Sequence, residues 1–286
     1  MAVTRHPREA SPDVAAPRPW LAVYTLAARE LVRFARQRNR VFGAIGQPVL
    51  FWLLFGAGLG PSFRWPGGAT GHLSYREYFF PGTLVLILLF TAIFATISII
   101  EDRREGFLQS VLVAPLPRWS LVLGKLIGGT LIALIQGLLF LALGLTVGLK
   151  FSFGSLAAIA GFAFVLAFAL TALGFVIAWR LDSTQGFHAI MSVFLMPMWL
   201  LSGAFFPADP RASGAAAALA WIIRLNPLTY GVAGLRHLLY WGRPDAELPV
   251  DLPSLATCLI VTVGFAAVTF VLCWKVVEGR TTGDLQ

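Results

Sequence analysis

Six stretches of this chain carry no Lys, Arg, Asp or Glu at all: residues 41–63, 78–100, 126–149, 151–179, 183–208 and 252–274. The shortest has 23 residues. As an α-helix rising about 1.5 Å per residue it would cover about 35 Å, more than the roughly 30 Å of bilayer hydrocarbon. Backbone amides in that medium have no water to bond, so each stretch must satisfy them internally, as a helix. The chain is therefore expected to be all-α, a polytopic membrane protein with six transmembrane helices in a domain over residues 41–274. The run 151–179 is long for one crossing but too short for two, and counts once. Only 13% of the residues are charged, against about a quarter in soluble domains, which excludes a soluble enzyme or binding module.

Charge sets the orientation. With the N-terminus inside, the segments between runs hold fifteen Lys and Arg on the inner side and seven on the outer side, which places both termini in the cytoplasm. Most of the net charge of +8 lies beside the apolar runs. It is therefore read as membrane orientation, with no nucleic-acid partner. The two cysteines, Cys258 and Cys273, lie in the last run and read as packing residues. No cleavable signal peptide is apparent, so the first span is retained.

Between and beside the spans the chain divides further. Residues 1–19 and 275–286 read as cytoplasmic tails, the first disordered. Residues 20–40 read as an amphipathic helix at the membrane interface. Trp20, Tyr24, Ala27, Leu31 and Phe34 fall on one face, turned to the acyl boundary. Arg29, Arg33, Arg36 and Arg40 fall on the other, turned to anionic headgroups or a partner. Residues 101–125 form a charged cytoplasmic loop. In it Arg103, Arg104, Glu105 and Gly106 lead into a short helix with an exposed apolar stripe of Phe107, Leu108, Val111 and Leu112, stopped by Pro115 and Pro117. Residues 209–251, outside, hold two apolar runs too short to cross. They are split at Asn226-Pro227 and suit re-entrant or interface-lying helices.

Catalytic chemistry is missing. Gly124-Lys125 lacks the upstream glycine of a phosphate-binding loop, and His6, His72, His188 and His237 are too dispersed for a metal site. No catalytic residue is assigned, and ATP-driven work would have to come from another polypeptide. Within the spans, Gln136 must face protein or a watery path, interhelical hydrogen bonding being the simpler reading. Gln47-Pro48 and Pro197 should loosen the first and fifth helices locally. Gly-x-x-x-Gly pairs at 56/60, 124/128 and 144/148 permit close helix contact.

These residues carry a resemblance to the ABC type 2 exporter permeases, whose members export drugs, lipid-linked sugars and polysaccharides. It covers nearly the whole chain from Trp20 and rests on four local matches: Phe80-Pro81-Gly82; Glu105-Gly106-Phe107-Leu108-Gln109 through Pro115, Arg118 and Gly124-Lys125; Leu201-Ser202-Gly203-Ala204-Phe205-Phe206-Pro207; and Asn226-Pro227-Leu228-Thr229-Tyr230 through Arg236. Gln109 and Phe107 depart from the family, which favours an acidic residue and a small hydroxyl there. The resemblance implies a bacterial inner-membrane complex of two permease subunits, identical or not, and two cytoplasmic ATPase subunits that bind the ATP and Mg. Residues 103–113 would be the coupling helix, seated on the ATPase, and Arg29, Arg33 and Arg36 would belong to the interface helix moving with it. Asn226, Pro227, Tyr230 and Arg236 would form an outer gate. Gln47 and Gln136 are the pathway candidates. The cargo would be amphipathic: a drug, a lipid or a lipid-linked glycan. The competing readings are an intramembrane lipid-modifying enzyme and a non-transporting membrane scaffold.

Overall fold

The computed structural model of the chain describes residues 18–58, 74–204, 214–241 and 252–279. Among these residues the protein is all-helical, with no strand. Eleven α-helices appear among them: α1 (Pro19–Arg36), α2 (Arg38–Gly58), α3 (Tyr75–Ala95), α4 (Ile97–Arg104), α5 (Phe107–Val113), α6 (Arg118–Ala142), α7 (Phe153–Arg180), α8 (Thr184–Trp199), α9 (Ala215–Leu225), α10 (Pro227–Leu239) and α11 (Leu255–Gly279).

Among the described residues, five helical stretches are long and apolar enough to cross a membrane: α3 with α4, α6 with the 3₁₀ turn after it, α7, α8 with a widened turn at Leu200–Ala204, and α11. The apolar part of α2, Ile45–Gly58, is shorter. Residues 59–63, the rest of that expected span, lie outside the described residues, as do the tail 1–17 and much of 209–251. The α3–α4 helix is the axis of the bundle, buried along nearly its whole length, whereas α11 shows Ile260, Val263, Val268 and Val271 to the outside.

Close approach is carried by glycines. A Cβ at Gly124 would come within 2.8 Å of Leu26 Cβ, and one at Gly128 within 2.7 Å of Glu30 Cβ. The pair is thus a notch in α6 that seats α1. Across the bundle, Gly129 faces Thr171 of α7 and Gly174 faces Thr96. Of the other two Gly-x-x-x-Gly pairs, Gly56 lies against the Arg76 side chain, Gly60 is outside the described residues, and Gly148 is a left-handed turn residue. Gly128→Val should force α1 off its seat, at about 1–3 kcal/mol. A thermal melt of the full chain, with protease cleavage near Gln37 as a local probe, checks it.

Three boundaries differ from the expectation. The amphipathic helix stops at Arg36, and α2 starts at Arg38, so Arg40 belongs to the next helix. The third span does not begin at Leu126. Pro117, extended and lacking an N–H to continue a preceding turn, starts α6 at Arg118, which takes Arg118 and Lys125 into the helix. The segment 101–125 is accordingly the end of α4, then α5, a four-residue link, and the first two turns of α6.

Candidate functional site

At the end of the bundle where α4 finishes, the charges of three helices converge. Asp102 is wholly buried and accepts from Arg29 Nη1 (3.0 Å) and Nη2 (2.8 Å), from Arg33 Nη1 (2.9 Å) and from Lys125 Nζ. Lys125 Nζ also donates to Glu30 Oε1 at 2.5 Å and to Ser98 Oγ at 3.4 Å. Arg33 Nη2 reaches Glu101 Oε2 at 2.6 Å, with Glu105 Oε1 3.5 Å away. Such charges could not be buried singly. Each leaves water, and only mutual attraction plus filled hydrogen-bonding positions offsets that cost. Hydrogen bonding to Asp102, outweighing partial burial, raises the Arg29 pKa further above its ordinary value, so this guanidinium is permanently charged.

The arginine face of α1 is therefore turned into the protein: Arg29 and Arg33 hold α4, and only Arg36 lies exposed at the helix end. The buried side of α1 is Val23, Leu26, Ala27 and Glu30, on α6, while Trp20 and Tyr24 face outward. The stripe is expected to meet anionic headgroups or a partner; for Arg29 and Arg33 the carboxylates of α4 in the same chain take that place.

The short helix α5 hangs from the same cluster. Gly106, left-handed at φ +75°, turns the chain between α4 and α5. Phe107 lies under the Arg29 guanidinium, 3.8 Å from it. Leu108 is buried, and Phe107 and Val111 are half-buried against the core, so the apolar stripe is not exposed as a whole. What faces outward is Gln109, Ser110, Leu112 and Val113. On the far side, Arg103 donates to Trp179 O (2.6 Å) and Asp182 Oδ1 (2.9 Å), and Arg104 Nε and Nη2 donate to Asp182 O (3.0 and 2.7 Å). These arginines thus bind the α7–α8 link of their own chain.

Midway along the bundle, α2, α3 and α8 border an apolar cleft of about 240 Å³. Gln47, Phe51, Phe90, Phe94 and His188 line it, with the His188 ring 4.9 Å from that of Phe94. Thr91 also lines the cleft and donates to Gln136 Oε1 at 2.5 Å. Of the two pathway candidates, Gln47 reaches the cleft and Gln136 sits behind its wall, bonded between helices.

At the opposite end, Asn226 caps α10, its Oδ1 accepting from Leu228 N at 3.0 Å. Its Nδ2 donates to Met198 O (2.6 Å) and Leu201 O (3.0 Å) in the turn where α8 loses regular geometry at Leu201 and Gly203. Pro227 opens α10, where a missing N–H costs nothing. Tyr230 donates to Arg224 O of α9 at 3.0 Å. Arg236 is buried over the Tyr78 ring of α3, 4.5 Å from its centre. Asn226, Tyr230 and Arg236 thus tie α9 and α10 to each other, to α8 or to α3, and Pro227 sets where α10 begins.

Sequence reasoning had missed Glu30, Asp102, Lys125 and Asp182. A signal existed for the first: Glu30 is the one acid in an arginine-rich helix, on the side that the heptad of small and apolar residues Val23, Leu26 and Ala27 marks as inward.

An all-helical bundle with five helical stretches, among the described residues, long and apolar enough to cross a membrane defines the class: a multi-pass membrane protein. Residues 22–240 match the family described as "ABC-2 type transporter", and the chain belongs to that family. It is 27% identical to the ycf38 protein of Cyanophora paradoxa over 90% of this chain and 89% of that one. It is 24% identical to the inner membrane transport permease YadH of Escherichia coli (strain K12), over 91% and 95% respectively. YbhR of the same strain, named a multidrug ABC transporter permease, is 27% identical over 67% of this chain and 50% of its own length.

Proposed function

We propose that this chain is the permease subunit of an inner-membrane ATP-binding-cassette exporter, with six spans, α2 being the first, and both termini cytoplasmic. A separate pair of ATPase subunits, holding the ATP and Mg, drives it, and a second permease subunit completes it. The supporting observation is the buried cluster of Glu30, Asp102 and Lys125 with Arg29 and Arg33. It joins α1, α4 and α6 at the end where α5 presents its outer residues. A push on α5 would then be delivered to α1 and to the two spans that contain α4 and α6 together, and through Arg103 and Asp182 to α7 and α8. The cleft's aromatic lining, with Gln47, Thr91 and His188 as its polar groups and no Asp, Glu, Lys or Arg among the described lining residues, suits an amphipathic cargo of low charge, and the name of YbhR fits an export role.

The reading predicts that ATP hydrolysis appears only when this chain is co-expressed with a matched ATPase. Robust hydrolysis by the chain alone would overturn it. Leu112→Asp should uncouple that hydrolysis from export without loss of membrane insertion, since a carboxylate in an apolar contact is stripped of water. On a free loop the change would be harmless. The expected export loss is at least about tenfold, equivalent to about 1.4 kcal/mol of coupling, and unchanged export would rule the contact out.

A further inference from the structure

Pro81 sits inside α3, in its second turn. It has no N–H to give to the carbonyl of Glu77 four residues earlier, and its ring pushes that carbonyl away from the helix axis. In an apolar bundle such an orphan must find another donor. It does: the Tyr240 hydroxyl, at the end of α10, donates to Glu77 O at 2.6 Å. Tyr240 is 4% exposed. One turn back on α10, Arg236 Nη2 donates to Tyr78 O at 3.3 Å. The other end of α10 is held on α8 by Asn226.

We infer that Tyr240 is a positioning residue for export: its hydroxyl replaces the backbone donor that Pro81 removes, and so latches the end of α10 to the second span. The helix becomes a brace from α8 to α3, fastened at both ends to carbonyls that a break or a proline has freed. Carbonyls of that kind are suited to a contact that must form and release. When α10 lifts, the Glu77 oxygen can pass to water. The inference rests on the reading of α9 and α10 as the outer gate.

The test is a double-mutant cycle in the full chain, in lipid nanodiscs, between Tyr240→Phe and Pro81→Ala. Pro81→Ala restores the N–H that reaches Glu77 O, so the tyrosine hydroxyl becomes dispensable. Tyr240→Phe should lower the melting midpoint by about 2–4 °C with Pro81 present, and by less than half of that shift with Pro81→Ala. Equal losses in both backgrounds, or no loss with Pro81 present, overturn the latch. The second readout needs no substrate. A single thiol is introduced by Val232→Cys on the buried side of α10, with Cys258→Ala and Cys273→Ala, and its alkylation by a maleimide is timed. Tyr240→Phe should speed it about two- to tenfold, and adding Pro81→Ala should return it toward the starting rate. A coupled melting cycle with unaltered alkylation would keep the bond but overturn the gate reading, because α10 would not be lifting.

Discussion

Lys125→Met should destabilise the chain by about 3–5 kcal/mol, the range for removing one partner from a buried ion pair. Methionine nearly preserves volume and apolar stem, so the loss is one of charge. Asp102 keeps its bonds to Arg29 and Arg33, but Glu30 loses the partner at 2.5 Å and is left with Arg29 at 3.7 Å. The carboxylate left behind, with a side chain only 6% exposed, has neither water nor a close cation. Combining Lys125→Met with Glu30→Gln should therefore recover more than half of the loss, although it is a second substitution in the same core. Melting of the purified chain measures both. A single variant as stable as the parent would show that the cluster does not hold α1.

The second large effect is expected at Asn226. Asn226→Ala removes the cap of α10, about 1 kcal/mol, and leaves Met198 O and Leu201 O without their donor in a partly buried place, each about 1–3 kcal/mol. The losses overlap, and about 2–4 kcal/mol in total is expected. Asn226→Asp separates the two roles. Aspartate caps as well as asparagine, but its oxygens would face two carbonyl oxygens. It should be at least as damaging as alanine. If aspartate were instead well tolerated, Asn226 would be a helix cap and nothing more.

Much of this architecture could be read from hydropathy alone, and the failures have a common cause. The uncharged runs located α3, α7 and α11 to within a few residues, because an apolar stretch in hydrocarbon has one way to satisfy its backbone. They mislocated the start of α6, because hydropathy marks where a helix is greasy and not where it is a helix. Arg118 and Lys125 looked like loop residues, yet Pro117 opens the helix ahead of them and Lys125 finds two carboxylates. The helical wheel likewise revealed that α1 has two faces but not which one meets protein. That was decided by Asp102 and Lys125, 73 and 95 residues away from their partners in the chain. Asn226 was picked out through its Asn-Pro motif, whereas Tyr240, bonded across 163 residues to a carbonyl, carries no local pattern. Its clue lay elsewhere, in Pro81, which announces that some donor must come to Glu77.

The turn at Gly106 has a stereochemical consequence. Its φ of +75° lies where an L-residue is strained by about 1–2 kcal/mol, yet nothing stands within 4 Å of where a Cβ would be. What forbids a side chain there is handedness and not space. The D-enantiomer of alanine would sit at position 106 unstrained, in the place where L-alanine could not. The angle at which α5 leaves α4, and with it the attitude of Leu112 and Val113 toward whatever they meet, is thus governed by the one achiral residue at that corner.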